Sequence, residues 1–146
     1  MPDANNPRQL VVFTLGTEQY ALGIQQVHEI IRYSEPRSVA SRADWVRGVI
    51  SLRGRIVPVY DVAARIGVRT EVSEQSKIVI AEIGTETAGV IVDSVEEVLT
   101  VTDEQISATP SADSSLIQAI IRVEGRLVAL LTLDCLFPAT ELPAAA

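Results

Sequence analysis

Residue types that do chemistry are sparse in this chain of 146 residues. His28 is its single histidine and Cys135 its single cysteine. A structural metal site takes about four close-spaced N or S ligands, so no metal site is expected, and one cysteine cannot form an intramolecular disulfide. A lone thiol suits a reducing compartment. The chain has no phosphate-binding loop and no nucleophile motif. Asp61 and Asp93 are the carboxylates that a small hydrolase would need as an acid–base pair. Each also precedes an apolar stretch that can turn into a helix, where a carboxylate caps free N–H groups. Capping is the reading adopted for both, and a carboxylate-dependent hydrolase stays as a remote alternative. Neither enzymatic activity nor a cofactor is expected.

The remaining chemically capable group is a guanidinium, and its setting is unusual. Val46 to Leu52 and Ile56 to Val59 are apolar runs rich in β-branched residues, separated by Arg53-Gly54-Arg55. This pattern predicts a β-hairpin with arginine at its tip, Gly54 supplying the positive φ of the turn. Pro58 cannot donate a ladder hydrogen bond, so the second strand has a free side or ends nearby. Asp61 is placed to cap a short helix over Val62–Ile66, with Gly67 ending it. Arginine forks bind carboxylates in pairs of hydrogen bonds, which makes Arg53 a recognition group. Charge distribution agrees. Between Arg32 and Arg69 there are eight arginines against three carboxylates, a surplus of five positive charges in a chain whose net charge is −7. A cationic band on an acidic body suits an acidic protein partner, and the overall sign argues against nucleic acid.

The elements that position these groups repeat. A strand over Leu10–Leu15, a turn at Gly16–Gln19, a return over Tyr20–Ile24 and a short helix over Gln25–Ile31 form the first run. Shifted by 68, Leu15-Gly16-Thr17-Glu18 falls on Ile83-Gly84-Thr85-Glu86, and Val27, Glu29, Ile30 and Ile31 fall on Val95, Glu97, Val98 and Leu99. Strands are therefore expected over Lys77–Ile83 and Ala88–Val92, then a helical turn over Asp93–Leu99. Shifted by 71, the Arg53 hairpin falls on a second one, Leu116–Val123 and Arg126–Leu131, with Glu124-Gly125 as its turn. Arg53 thus becomes Glu124, so the fold does not dictate charge there. Thr102–Ser115 reads as a surface loop holding one turn near Asp103–Gln105, Thr70–Ser76 as the junction between halves, and Leu133–Phe137 as a terminal helical turn. Each half is marginal alone, so the two are expected to share apolar surface, with Trp45 as an anchor between them. Aromatics make up only 4%, so Val, Ile, Leu and Ala must fill the core.

Glu29-Ile30-Ile31, the block from Asp44 to Asp61 and the block Gly89-Val90-Ile91-Val92-Asp93-Ser94-Val95-Glu96-Glu97-Val98 resemble the CheW family of chemotaxis coupling proteins. The resemblance runs from about Gln9 to Phe137. It implies a mainly β fold of two SH3-like five-stranded barrels packed together, with short helices. One domain over 8–138 is expected, its subdomains about 15–75 and 76–138 with strand exchange at the ends, and 1–7 and 139–146 as flexible tails. It implies a non-catalytic scaffold that couples chemoreceptors, the methyl-accepting chemotaxis proteins, to the histidine kinase CheA. A related array serving pili, a second messenger or development is the alternative. The implied receptor-binding residues are Val27, Glu29, Ile30, Gly48, Arg53 and Gly54, beside a groove between the barrels that takes the receptor's cytoplasmic tip. The CheA regulatory domain is expected to dock barrel against barrel, and the motifs place none of its contacts. The chain departs from the family's usual residues at Ala21, Ala40, Ala43, Ser51, Ala119 and Thr132. Neither a signal peptide nor an apolar run of about 20 residues is evident, so the expectation is a cytoplasmic protein, associated with membrane-bound arrays without inserting.

Overall fold

Two hairpins with the same Gly-Thr turn open the two halves: β1 (Arg8–Leu15) with β2 (Glu18–Gly23), and β6 (Lys77–Ile83) with β7 (Glu86–Val92). Each is followed by a single strand, β3 (Val27–Arg32) or β8 (Ser94–Val101). Each half then builds a second hairpin, β4 (Val46–Leu52) with β5 (Arg55–Asp61), and β10 (Ile117–Val123) with β11 (Arg126–Leu131). A short β9 (Ile106–Ala108) precedes β10, and helix α1 (Val62–Ile66) follows β5. The computed structural model describes residues 8–39, 44–108 and 117–133. Ala40, Ala43, Cys135, both tails and the expected terminal turn beyond Leu133 lie outside these residues.

The strands form two sheets, ordered β8-β1-β2-β11-β10-β9 and β3-β6-β7-β5-β4. Under the repeat, β8-β1-β2-β11-β10 matches β3-β6-β7-β5-β4 strand for strand. The leading hairpins, however, are exchanged: β1–β2 lies in the sheet built by the second half, and β6–β7 in the sheet built by the first. The sheets therefore do not divide at the expected boundary near residue 75. The chain crosses between them at the 3₁₀ turn Ile24–Gln26, between β2 and β3, and at Asp93, between β7 and β8. Parallel pairing stitches each guest hairpin to its host, Ala21 opposite Leu130 and Val59 opposite Gly89. The six-stranded sheet exceeds the expected five because β9 pairs with β10 where a loop was expected. Its counterpart in the other sheet is a single bridge, Arg37 to Val49.

Three apolar clusters follow from this arrangement. Ile50, Val57, Val59, Ile78, Ile80 and Ile91 fill the inside of the five-stranded sheet. Leu10, Val12, Ala21, Ile121, Val128 and Leu130 are among those filling the six-stranded one. The largest cluster lies between the sheets and joins Phe13, Leu15, Tyr20 and Leu22 to Tyr60, Val79, Ala81, Ile83, Val90 and Val92. The halves thus share apolar surface, as the duplication implied. Trp45 is in the same cluster, edge-on to Tyr60 with ring centroids 5.1 Å apart.

Two expected helices are strands. The run Gln25–Ile31 contains the 3₁₀ turn and then β3, and Asp93–Leu99 belongs mostly to β8. The cause is a β-bulge in each. In β3 the register slips between Val27 and Glu29, leaving His28 as the extra residue; Val27 then pairs with Ala81 and Ile30 with Val79, on one face. In β8 the slip leaves Glu96 extra, between Glu97 opposite Val12 and Val95 opposite Phe13. A bulge puts residues three apart on one face, which imitates helical spacing. The helix after Asp61 forms as expected. The Asp61 carboxylate accepts from the Ala64 N–H at 3.0 Å, and the chain leaves the helix at Gly67.

Each half lacks the hairpin that completes its own sheet. We therefore expect fragments 1–71 and 72–146, produced separately, to lack fixed tertiary structure, and to fold together on mixing. Far-UV circular dichroism and amide NMR dispersion of each fragment and the mixture check this; an independently folded fragment would contradict it. A second expectation concerns pH. Burial, and then the Glu86 charge, push the Tyr60 hydroxyl up to about 12. The unfolded chain ionises first, near 10, so the contribution is complete below pH 10 and is lost as pH rises toward 12. Urea unfolding across that range should show Tyr60→Phe losing less stability than the parent.

Candidate functional site

The loop between β4 and β5 has two residues, Arg53 with φ 53° and Gly54 with φ 81°. Positive φ at both positions is the type I′ geometry, whose twist matches the strands. The turn directs Arg53 outward, and its side chain is 74% exposed. Its guanidinium donates to both oxygens of Glu29, Nη1 to Oε1 at 2.5 Å and Nη2 to Oε2 at 2.7 Å. Those hydrogen bonds, and then the Glu29 charge, hold the guanidinium above its ordinary range. Glu29 lies on β3 and Arg53 at the end of β4, and these strands are opposite edges of their sheet. The pair therefore joins edge to edge and shows the sheet rolled toward a barrel.

Register decides which way each neighbour faces. Glu29 pairs with Ile80 and Ile31 with Ile78, so both point to the inner side, where Ile31, Ile78 and Ile80 pack. Val27 and Ile30 lie on the other face, beside Ala81 and Val79 of the shared core. Val27 is half-buried against that core, and Ile30 is 39% exposed at its margin. The structure therefore brings together an apolar step, Val27 to Ile30, and an exposed carboxylate–guanidinium clamp at the start of one strand. They face opposite sides of it.

The two glycines differ in kind. Gly54 is exposed in the turn, with nothing within 4 Å of where a Cβ would stand. Gly48 is buried with φ 145°, and a Cβ there would lie 2.1 Å from the Arg37 carbonyl oxygen. Arg37 and Val49 exchange backbone hydrogen bonds of 2.8 and 2.9 Å at this point. Gly48 thus lets the 36–37 segment close on β4, and its buried backbone presents no side chain to a partner.

Asp61 and Asp93 are both engaged locally. Asp61 caps α1 with one oxygen and accepts from Arg47 Nη1 at 3.1 Å with the other. Asp93 caps no helix; its Oδ2 accepts from the Gly16 N–H at 2.8 Å and braces the β1–β2 turn. Among the described residues no group of three His, Cys, Asp or Glu is placed to hold a metal. Sequence reasoning passed over Ile56, which is 66% exposed beside the arginine tip. Its signal was present: Val57 and Val59 point inward, so Ile56 must point out. It also passed over Arg126, which donates to Glu97 Oε2 at 2.6 Å and Gln19 Oε1 at 2.7 Å. Glu97 is the repeat partner of Glu29, so both halves clamp the same carboxylate with a hairpin arginine, from different turn positions.

Residues 9–141 match the CheW-like domain family. The chain belongs to the CheW family. It is 33% identical over 146 residues to the chemotaxis protein CheW of Rhizobium meliloti, covering 97% of this chain and 94% of that one. Against the chemotaxis protein CheW of Thermotoga maritima the identity is 27% over 136 residues, covering 92% and 90%. The crystal structure of the scaffolding protein TtCheW from Thermoanaerobacter tengcongensis superposes with a TM-score of 0.87 at 31% identity, covering 94% of this chain and 97% of that one. As a CheW-family member, the chain is a chemotaxis coupling adaptor, and its two rolled sheets are the family's SH3-like pair. No helix among its described residues is long and apolar enough to cross a membrane.

The clamp and the buried glycine should separate in stability measurements. The ion pair is exposed and screened by water, so Arg53→Ala should leave the unfolding midpoint close to the parent's. Gly48→Ala meets backbone and takes an unfavourable φ, and should cost on the order of 2–3 kcal/mol. Chemical denaturation of both variants checks the contrast; equal losses would contradict it.

Proposed function

We propose that this adaptor couples the cytoplasmic tip of a chemoreceptor to the histidine kinase CheA, with Val27, Glu29, Ile30, Arg53 and Gly54 at the receptor surface. Gly48 acts there indirectly, by shaping β4. The observation that carries the reading is the placement of Arg53: exposed, and held by Glu29, which stands one residue along β3 from exposed Ile30. A receptor tip is a helical hairpin in the family's architecture. Helices dock by burying an apolar stripe, which Val27 and Ile30 suit, while a rim cation pairs with a carboxylate. Arg53 already pairs with one carboxylate and can exchange it for another at little net cost, because both pairs sit in water.

The working unit is the single domain 8–138, with 1–7 and 139–146 outside it. It acts without catalysis, in the cytoplasm at membrane-bound arrays. The kinase's CheW-like regulatory domain docks barrel against barrel on another face.

Arg53→Glu places two carboxylates against each other. It should leave the circular dichroism spectrum and unfolding midpoint close to the parent's. Pull-down by a receptor cytoplasmic fragment should fall about tenfold or more, the range of a well-placed interface charge. Kinase activation in reconstituted complexes should fall with it. Unchanged receptor binding by the folded variant would refute the assignment of Arg53.

A further inference from the structure

Arg32 and Lys77 stand directly opposite each other where β3 pairs with β6. Ile31 and Ile78 beside them point into the barrel, so both cations point to the outer face, the face of Ile30 and Val79. Arg32 is exposed and Lys77 half-buried. Like charges directly opposite on a sheet disfavour the pairing. No carboxylate among the described residues forms an ion pair with either. Glu29 faces the other side of β3 and is held by Arg53. Asp93 follows the Val92 that pairs with Lys77, and its Oδ2 accepts from the Gly16 N–H. Glu35 and Glu74, beyond the strand ends, are exposed and form no ion pair.

The duplication shows that the fold does not ask for these charges. The equivalent positions in the other half are Thr100 and Gln9, which also stand opposite each other, exposed and neutral. One half therefore carries a repelling pair that the other does without. The pair lies at the end of the apolar step Val27–Ile30, on the same face. Ile30 and Arg32 are two strand residues apart, about 6.7 Å. Helix residues three or four apart are separated by a rise of about 4.5–6 Å. A helix lying along β3 with an apolar side chain on Ile30 thus brings its next turn to Arg32 and Lys77.

We infer that Arg32 and Lys77 select a carboxylate on the docked helix, one turn from the apolar residue that covers Ile30. This rests on the receptor reading above and adds the chemistry of the receptor residue. A carboxylate between the two cations accepts from both and offsets their repulsion, which a neutral amide does not. Arg53 meets the receptor from the other side of β3, so the two sites read different groups. A helix without the acid leaves the cations facing each other, so the pair discriminates among receptors rather than adding general attraction.

The test is an amide NMR titration of the full chain with two amphipathic helical peptides of about 18 residues, alike in their Leu stripe and flanked by Glu in one and Gln in the other. The Glu peptide should bind about tenfold more tightly and shift Ile30–Arg32 and Lys77–Val79. Arg32→Thr with Lys77→Gln, the residues of the other half, should erase that preference without lowering the unfolding midpoint. Arg32→Lys with Lys77→Arg should keep it. No preference in the parent overturns the proposal, as does a preference that the neutral pair retains. A lowered midpoint in the neutral pair also overturns it, because the cations then serve the fold. Pull-down by a receptor cytoplasmic fragment that falls with Arg53→Glu, but not with the neutral pair, overturns it while leaving the receptor reading in place. Pull-down that neither variant weakens refutes both.

Discussion

Four strands, β1, β2, β6 and β7, have buried side chains on both faces, and the rest of the molecule depends on that double burial. Their inner faces fill the two barrels, while their outer faces meet in the cluster around Phe13, Leu22, Val79 and Val90. Each large aliphatic or aromatic side chain removed from water there contributes about 1.5–3 kcal/mol before chain entropy is counted. The same strands are the exchanged hairpins. Each is paired to its host sheet and also packed on the sheet of its own half. Separating the barrels would expose the cluster and strain the crossings at Ile24–Gln26 and Asp93. Partners therefore meet one rigid body, and what is left for them lies at its margins.

That rule explains which residues are exposed. Ile30, Ile56, Val98 and Leu127 all sit on outer sheet faces, on strands that flank the doubly buried four. The two sheets cover each other only at the centre. Apolar side chains persist beyond the covered zone, where burial within this chain no longer accounts for them. Val27 marks the transition, half against the core and half beside Ile30.

Much of this was legible in the residues, and the exceptions have physical causes. Hairpins declared themselves by alternation and by Gly-Thr, Arg-Gly and Glu-Gly turns, and duplication by matched turns at fixed offsets. The helix misassignment at Val27, Ile30 and Ile31 came from a bulge, because an extra residue in a strand and a turn of helix both bring positions three apart together. The exchange of hairpins left no local signal. A repeat reads the same whether each hairpin joins its own half or the other, and only long-range pairing such as Ala21 with Leu130 distinguishes them. Arg53 and Glu29 stood out through type and repeat position. Their union did not, since edges that meet by rolling a sheet are far apart in strand order. Gly48 was grouped with Arg53 through the family motif, yet its structural reason is the approach of the Arg37 carbonyl.

The turns carry the last step. A two-residue type I′ turn prefers Asn-Gly, and a larger L-residue at its first position costs about 1–2 kcal/mol in the left-handed region. Both second hairpins accept that cost, one with Arg53 and the other with Glu124. For Arg53, pairing with Glu29 offsets part of it, but the pair is exposed and water screens it. Glu124 has a weaker offset, the attraction of its charge to the adjacent Arg126, which is itself bonded to Glu97 and Gln19. Stability alone would favour asparagine at both tips. Side chains held outward by a turn that disfavours them, and opposite in sign at equivalent places, show that the hairpin geometry itself leaves the charge at each tip open.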